Sequence, residues 1–492
     1  MDDPGDTTDS AWLLRDVELA GARCDVRLRA GRILAIGAGF PDAPGERVHD
    51  GRGGALLPGL HDHHLHLLAL AAALDSVRCG PPDVVHASGL AAALARAARG
   101  ADPARGLRGV GYHESVAGDL DRHALDRLGP AVPIRIQHRS GVRWILNSLA
   151  LSRLGSIDPA DRPPGLELDA AGEPTGRIDR ADAWLRGRLG EAAPPDLAPV
   201  GARLTRFGVT GICDATPGND ADVLGILRAA RARGALSQRL LVMGRPDLPP
   251  TGPDDGIRRG ALKVMLDENA LPDHAALVAR IAASHRAGRG VAFHCVTRAE
   301  LVFAASALEE AGCTPWDRIE HASVAPPDCV AWLARMPLAV VTQPNFLRER
   351  GDAYLASVPA ADRPWLYRGR GFRDAGIPLA AGTDAPFGHD DPWRAMRAAV
   401  DRRAASGAVL AAAEALTPEE ALALFTTPLE SPGRPVRRLA AGAVADLCLL
   451  DRPWSSARER LSADDVAATF VAGRRIGSAG DADAGRLPPP PD

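Results

Sequence analysis

The chain has 492 residues, 46% of them hydrophobic, with a formal net charge of −4. That length suits a barrel of about 250 residues or more with insertions and a satellite domain. The balanced charge gives no electrostatic basis for binding nucleic acid or an anionic membrane, so a small-molecule substrate is expected.

Cysteines at 24, 79, 213, 295, 313, 329 and 448 are scattered without CxxC pairs. This argues against a disulfide framework or a thiolate zinc site and predicts a reducing compartment. The first residues are acidic and polar, and no apolar run of about 18 residues follows, so a cytoplasmic location is expected. A homodimer is compatible with this composition.

In chain order, Trp12–Leu19, Cys24–Arg29 and Arg32–Ile36 read as short strands separated by glycine-containing turns. A second set of strands, Ala445–Asp451 and Val466–Ile476, lies at the other end. These pieces predict one composite β-domain, a small β-sandwich formed by both termini from residues 1–57 and 437–480. Residues 58–436 are expected to form the barrel. An insertion at about 70–200, rich in glycine and proline, reads as long loops over the barrel mouth. The proline-rich end, 481–492, reads as a flexible tail.

From residue 261 the rhythm is strand then helix: Leu262–Asp267, a helix from Asp273, Val291–His294, a helix over Ala299–Ala311, and Arg318–His321. A helix over Asp328–Arg335 and strands Leu338–Gln343 and Ile377–Asp384 follow, then a helix from Asp391. Thr417-Pro-Glu-Glu420 has the capping-box spacing with proline at the first helical position. This alternation predicts an α/β fold, a closed (β/α)₈ TIM-type barrel of parallel strands, in preference to an open doubly wound sheet.

Of 58 basic residues only Lys263 is a lysine. It sits within the strand-like run Ala261–Asp267, where an ammonium can shed its proton and a guanidinium cannot. One chemistry open to such an amine is addition of carbon dioxide, giving a carbamate that bridges two metal ions.

His61-Asp-His-His-Leu-His66 gathers four of the 14 histidines. His64 and His66 share one face of a strand and His61 and His63 the other, and spacing alone does not choose between the pairs. His294, His321 and Asp384 each end a predicted barrel strand, the face on which barrel active sites assemble. Together with Lys263 they offer nitrogen and oxygen donors suited to Zn²⁺ or a similar divalent ion.

With these residues the chain resembles the amidohydrolase superfamily. The matching stretches are Pro58–His66, Leu262–Asp267, Val291–His294, Arg318–Ala322 and Ala381–Pro386, with Arg32–Gly37 and Leu439–Asp451 matching its terminal strands. The layout, with Asn147-Ser148 in the insertion, is most similar to the YtcJ-like branch that includes N-substituted formamide deformylases. Two departures from the branch are Gly141-Val142 and His294-Cys-Val-Thr-Arg298.

The resemblance implies that His64 and His66 ligate a first metal and that His294 and His321 ligate a second. A carboxylated Lys263 would bridge two Zn²⁺ ions, and Asp384 would ligate the first and move protons. It implies metal-dependent hydrolysis of a C–N bond in an amide, formamide, carbamate or cyclic amide. The alternatives are a mononuclear deaminase of the same superfamily and a catalytically inactive ligand-binding barrel. His113, Arg139 and Asn345 are the candidate substrate-facing residues. Cys295, next to His294 on a strand, is expected to face away from it and pack in the core.

Overall fold

The computed structural model describes residues 11–81, 83–100, 106–189, 194–252 and 256–477, so the predicted tail at 481–492 lies outside the described residues. The chain divides into two compact units, residues 1–67 with 197–492, and residues 68–196.

In the first unit both chain ends form sheets. Arg32–Gly37, Ala22–Arg29, Trp12–Leu19 and Arg47–Asp50 lie side by side in that order, and a second sheet runs Arg474–Ile476, Val466–Val471, Leu447–Leu450, Leu56–Pro58. Three hairpins in these sheets turn on an Ala-Gly pair, Ala20-Gly21, Ala30-Gly31 and Ala472-Gly473, with φ positive at both residues. That is the two-residue geometry whose twist matches the flanking strands. The sheets share a core of Trp12, Leu14, Val26, Leu447 and Phe470, with the Trp12 and Phe470 rings edge-to-face at 5.6 Å.

Eight parallel strands form the barrel: Leu60–Leu65, Val209–Asp214, Arg239–Gly244, Ile257–Met265, Val291–Cys295, Arg318–His321, Ala339–Thr342 and Leu379–Ala381. The eighth strand ends earlier than predicted, at Ala381, so Asp384 stands on the loop beyond it. The reason is local. A Cβ on Gly382 would lie 2.4 Å from the His64 nitrogen, and Asp384 has φ +55°, outside the extended region.

That loop joins the eighth strand to the first. Asp384 N donates to His64 O at 2.7 Å, and His66 N to Ala385 O at 2.9 Å. Thr383 donates to the Asp62 carboxylate through both its nitrogen and its hydroxyl, at 3.1 and 2.6 Å. The capping box at Thr417 is present, starting the helix Pro418–Ala423.

Residues 68–196 are not the run of long loops expected from their glycines and prolines. They have a mixed six-stranded sheet, ordered Leu166–Leu168, Pro174–Asp179, Arg143–Leu146, Ile134–His138, Leu107–Tyr112, Val77–Arg78. Apolar clusters around Leu94, Leu107 and Ile136, and around Trp144, Leu146 and Ile178, supply their cores. Among the described residues no helix is long and apolar enough to cross a membrane.

Removing a fully buried aromatic ring costs its transfer free energy plus a cavity. Phe470→Ala is therefore expected to lower stability by about 3–5 kcal/mol. Guanidinium unfolding followed by circular dichroism measures this, and an unchanged midpoint contradicts the shared core.

Candidate metal centre

The C-terminal ends of the first, fifth and sixth strands and the loop after the eighth bring donor atoms together. One ligand atom each from His64, His321 and Asp384 lies within 4.8 Å of the others. His66 Nε2 stands 3.0 Å and His64 Nε2 3.5 Å from Asp384 Oδ1. The His294 ring centroid is 4.5 Å from that of His321, which is 4.9 Å from that of His64. Lys263, on the fourth strand, is 2% exposed, and its charge acts on His64, His294 and His321. His321 and Asp384 have φ of +68° and +55°, conformations rare for residues with a side chain.

The first strand sorts its histidines. His61 Nδ1 contacts Thr427 O at 2.8 Å and His63 Nε2 contacts Thr427 Oγ1 at 3.1 Å, so this pair turns away from Asp384. His66 Nδ1 contacts Thr216 Oγ1 at 2.9 Å. Asp214, at the end of the second strand, accepts from Leu67 N, Thr216 N and Asn219 Nδ2, fixing the backbone next to His66 and the turn that bears Thr216.

Two residues not singled out in the sequence complete the centre. Glu320, fully buried, accepts from His64 Nδ1 at 2.5 Å, which leaves Nε2 toward Asp384. Arg318 holds both Glu320 oxygens, at 2.5 and 3.1 Å, and donates to His63 O at 2.8 Å. A carboxylate behind an imidazole fixes its tautomer and raises its basicity. The signal was two charged residues on alternate positions of a strand that packs inward on that face.

Burial dominates the electrostatics. It pushes His64 down to about 4 and His321 and His63 down to about 3, lowers His294 well below its ordinary range, and lowers the Lys263 amine. Burial would raise Glu320, but Arg318, Lys263 and His64 outweigh it and hold the carboxyl well below the usual carboxylate range. Asp384 is likewise lowered against burial by His64, His66 and His321. Burial raises Asp62 to about 7 despite its bonds to Thr383 and His64. Cys295 is buried with its thiol toward Glu300 O at 3.7 Å, and burial raises it well above the ordinary thiol range.

Glu320 and Asp384 bring two carboxylates to the centre, the first paired with Arg318, among the buried imidazoles of His64, His294 and His321. Lys263 Nζ and His321 Nδ1 are buried without a hydrogen-bond partner among the described residues. Unpaired buried polar atoms call for a ligand, and this set of imidazole and carboxylate donors fits a divalent cation such as zinc.

The candidate substrate-facing residues lie apart in the chain. His113 caps the short helix Glu114–Ala117, its Nδ1 accepting from Ser115 N, and its ring stacks on that of His138 with centroids 6.1 Å apart. Arg139 N donates to Tyr112 O. Both belong to the 68–196 unit. Asn345, in the barrel unit, is buried and donates through Nδ2 to Thr383 O at 2.9 Å.

The profile described as the amidohydrolase family matches residues 47–476. An N-substituted formamide deformylase from Arthrobacter pascens is 26% identical, covering 91% of this chain and 94% of its own. Among solved structures, an uncharacterized metal-dependent hydrolase from Pyrococcus horikoshii superposes with TM-score 0.71 at 20% identity, covering 90% of this chain and 98% of its own. Atrazine chlorohydrolase TrzN from Arthrobacter aurescens TC1, solved with zinc, superposes with TM-score 0.56 at 17% identity over 94% of each chain.

A histidine kept neutral by burial binds no proton where the unfolded chain, at its ordinary 6.5, binds one. Stability therefore falls with pH below about 7 and levels off only near the folded values of 3 to 4. Asp62 acts oppositely between its ordinary 3.8 and about 7, but it is one group against His63, His64 and His321. The urea midpoint of the chelator-treated protein is expected to drop steadily from about pH 7 to about pH 4.5. A flat or rising midpoint would sink this account.

Proposed function

Since the chain belongs to the amidohydrolase family, we propose that it hydrolyses a C–N bond of a small amide, formamide, carbamate or cyclic amide using divalent metal. The observation that carries this reading is the convergence of His64, His321 and Asp384, with His66 and His294 beside them and the Lys263 amine buried without a hydrogen-bond partner among the described residues. Likeness to the formamide deformylase supports the formamide member of that substrate group.

His64, His66 and Asp384 would hold one ion and His294 and His321 another, with Lys263 between them as its carbamate. Bound there, such cations acidify water and polarise a substrate carbonyl. Lys263 is suited to its part because burial lowers its pKa and so favours the neutral amine. Its nitrogen adds to carbon dioxide and loses a proton, giving a carbamate anion with two oxygen donors. Asp384, ionised because His64, His66 and His321 lower its pKa, takes the proton of the attacking water. It returns that proton to the nitrogen as the C–N bond breaks. Glu320 holds His64 in one tautomer throughout.

Arginine cannot form the carbamate, so Lys263→Arg is expected to abolish hydrolysis and lower metal content from about two ions per chain, as read by elemental analysis. Near-wild-type turnover, or a wild-type content of one ion with ammonia release, would replace the bridged reading with a mononuclear deaminase.

Asp384→Asn keeps the shape of the side chain but not its basicity. A loss of kcat of about 10²-fold or more on any hydrolysed amide is expected, as for removal of a proton-transfer group. Unchanged kcat would take the proton shuttle away from Asp384.

A further inference from the structure

The barrel has a second concavity, at the end opposite the metal centre. A cavity of about 530 Å³ opens where the fourth to seventh strands begin, bounded by Arg258–Ala261, Gly288–Gly290, Pro315–Arg318 and Ala339. Such a volume is that of a small-molecule site.

Its wall is positively charged in an unusual way. Arg258, Arg259 and Arg289 line it, and none of the three forms an ion pair among the described residues. Arg289 is 6% exposed, and its guanidinium donates only to backbone carbonyls, those of Gly244, Arg245, Gly260 and Ala261. It is thus a rigid buried cation without an ion pair among the described residues, and burial with repulsion from Arg259 lowers it to about 10, against the pull of Asp247. Arg259 makes one long side-chain bond, 3.4 Å to Leu248 O, and the exposed Arg258 has no side-chain hydrogen bond among the described residues, so both forks can turn to a ligand.

The acids on the described wall do not balance this charge. Asp317 has both oxygens taken, by His285 Nε2 and Val291 N on one side and by Thr314 N and Oγ1 on the other. Arg318 is matched by Glu320, so among the described lining residues Asp317 and exposed Glu430 oppose the three arginines. On the same wall Trp316 is 63% exposed, a flat apolar face open to water.

We propose that this cavity is a binding site for an organic anion, an oxyanion head held by Arg258 and Arg259 in the field of Arg289, with a flat apolar body against Trp316. Guanidinium forks match the geometry of oxyanions, and a concave wall of one sign concentrates such ligands.

The test is calorimetric titration of the metal-loaded enzyme with 1-naphthalenesulfonate, which offers no hydrolysable bond. Saturable binding is expected, tighter than that of sulfate or of 1-naphthol alone. The double variant Arg258→Ala/Arg259→Ala is expected to lose about tenfold or more in affinity, the worth of charge-assisted hydrogen bonds, with basal kcat/KM unchanged. Arg258→Ala alone removes an exposed side chain, which keeps the fold, and is expected to weaken binding several-fold. Trp316→Ala should bring the affinity for 1-naphthalenesulfonate down to that for sulfate. Absence of saturable binding by the wild type, or equal binding by the folded double variant, overturns the proposal.

Discussion

Burial penalises the charged form of a basic side chain, and the metal centre of this barrel is built around that penalty. It drives His64, His294 and His321 to their uncharged forms, in which nitrogen lone pairs are free, and lowers Lys263 in the same direction. One cation, Arg318, stays charged inside because Glu320 meets it with two hydrogen bonds. The same carboxylate then reaches His64, so a single buried ion pair compensates itself and orients a ligand. Asp384 is ionised in the company of the imidazoles. The cluster offers imidazole nitrogens and an ionised carboxylate, the deprotonated donors that a divalent ion requires.

Much of this was legible in the sequence. The barrel strands from Leu262 onward could be read from short apolar runs alternating with helical segments, whereas Arg239–Gly244 was not read, and the strand-end histidines stood out because each closes such a run. Lys263 stood out by being alone. Glu320 and Arg318 did not, since in a chain with 57 other arginines and lysines one more arginine looks like solvation. Only the inward direction of the sixth strand distinguishes that pair. The choice between the two interleaved histidine pairs was likewise tertiary: Thr427, more than 360 residues away, takes His61 and His63. The segment 68–196 was misread because glycines 109 and 111 and arginines 108 and 135 interrupt strands that its own apolar clusters complete.

The two ends of the barrel differ in what their arginines do. Arg318, whose guanidinium turns into the barrel, is matched by Glu320 and enclosed. At the strand starts Arg289 is bound to carbonyls alone, and Arg258 and Arg259 border open space. A parallel barrel permits this separation because its strand starts and strand ends are built from different loops. Charge at one end can therefore change without displacing the ligands at the other.

The latch between Asp62 and Thr383 spans 321 positions and fastens the last strand to the first beside His64 and Asp384. During synthesis, His64 leaves the ribosome long before Asp384 exists. No cation can be gripped by the full set until nearly four hundred residues have been made and the cylinder has shut. In a small zinc domain the ion organises the polypeptide. Here the order is reversed, and ion delivery is an event of the finished protein, governed by access to a preformed cage.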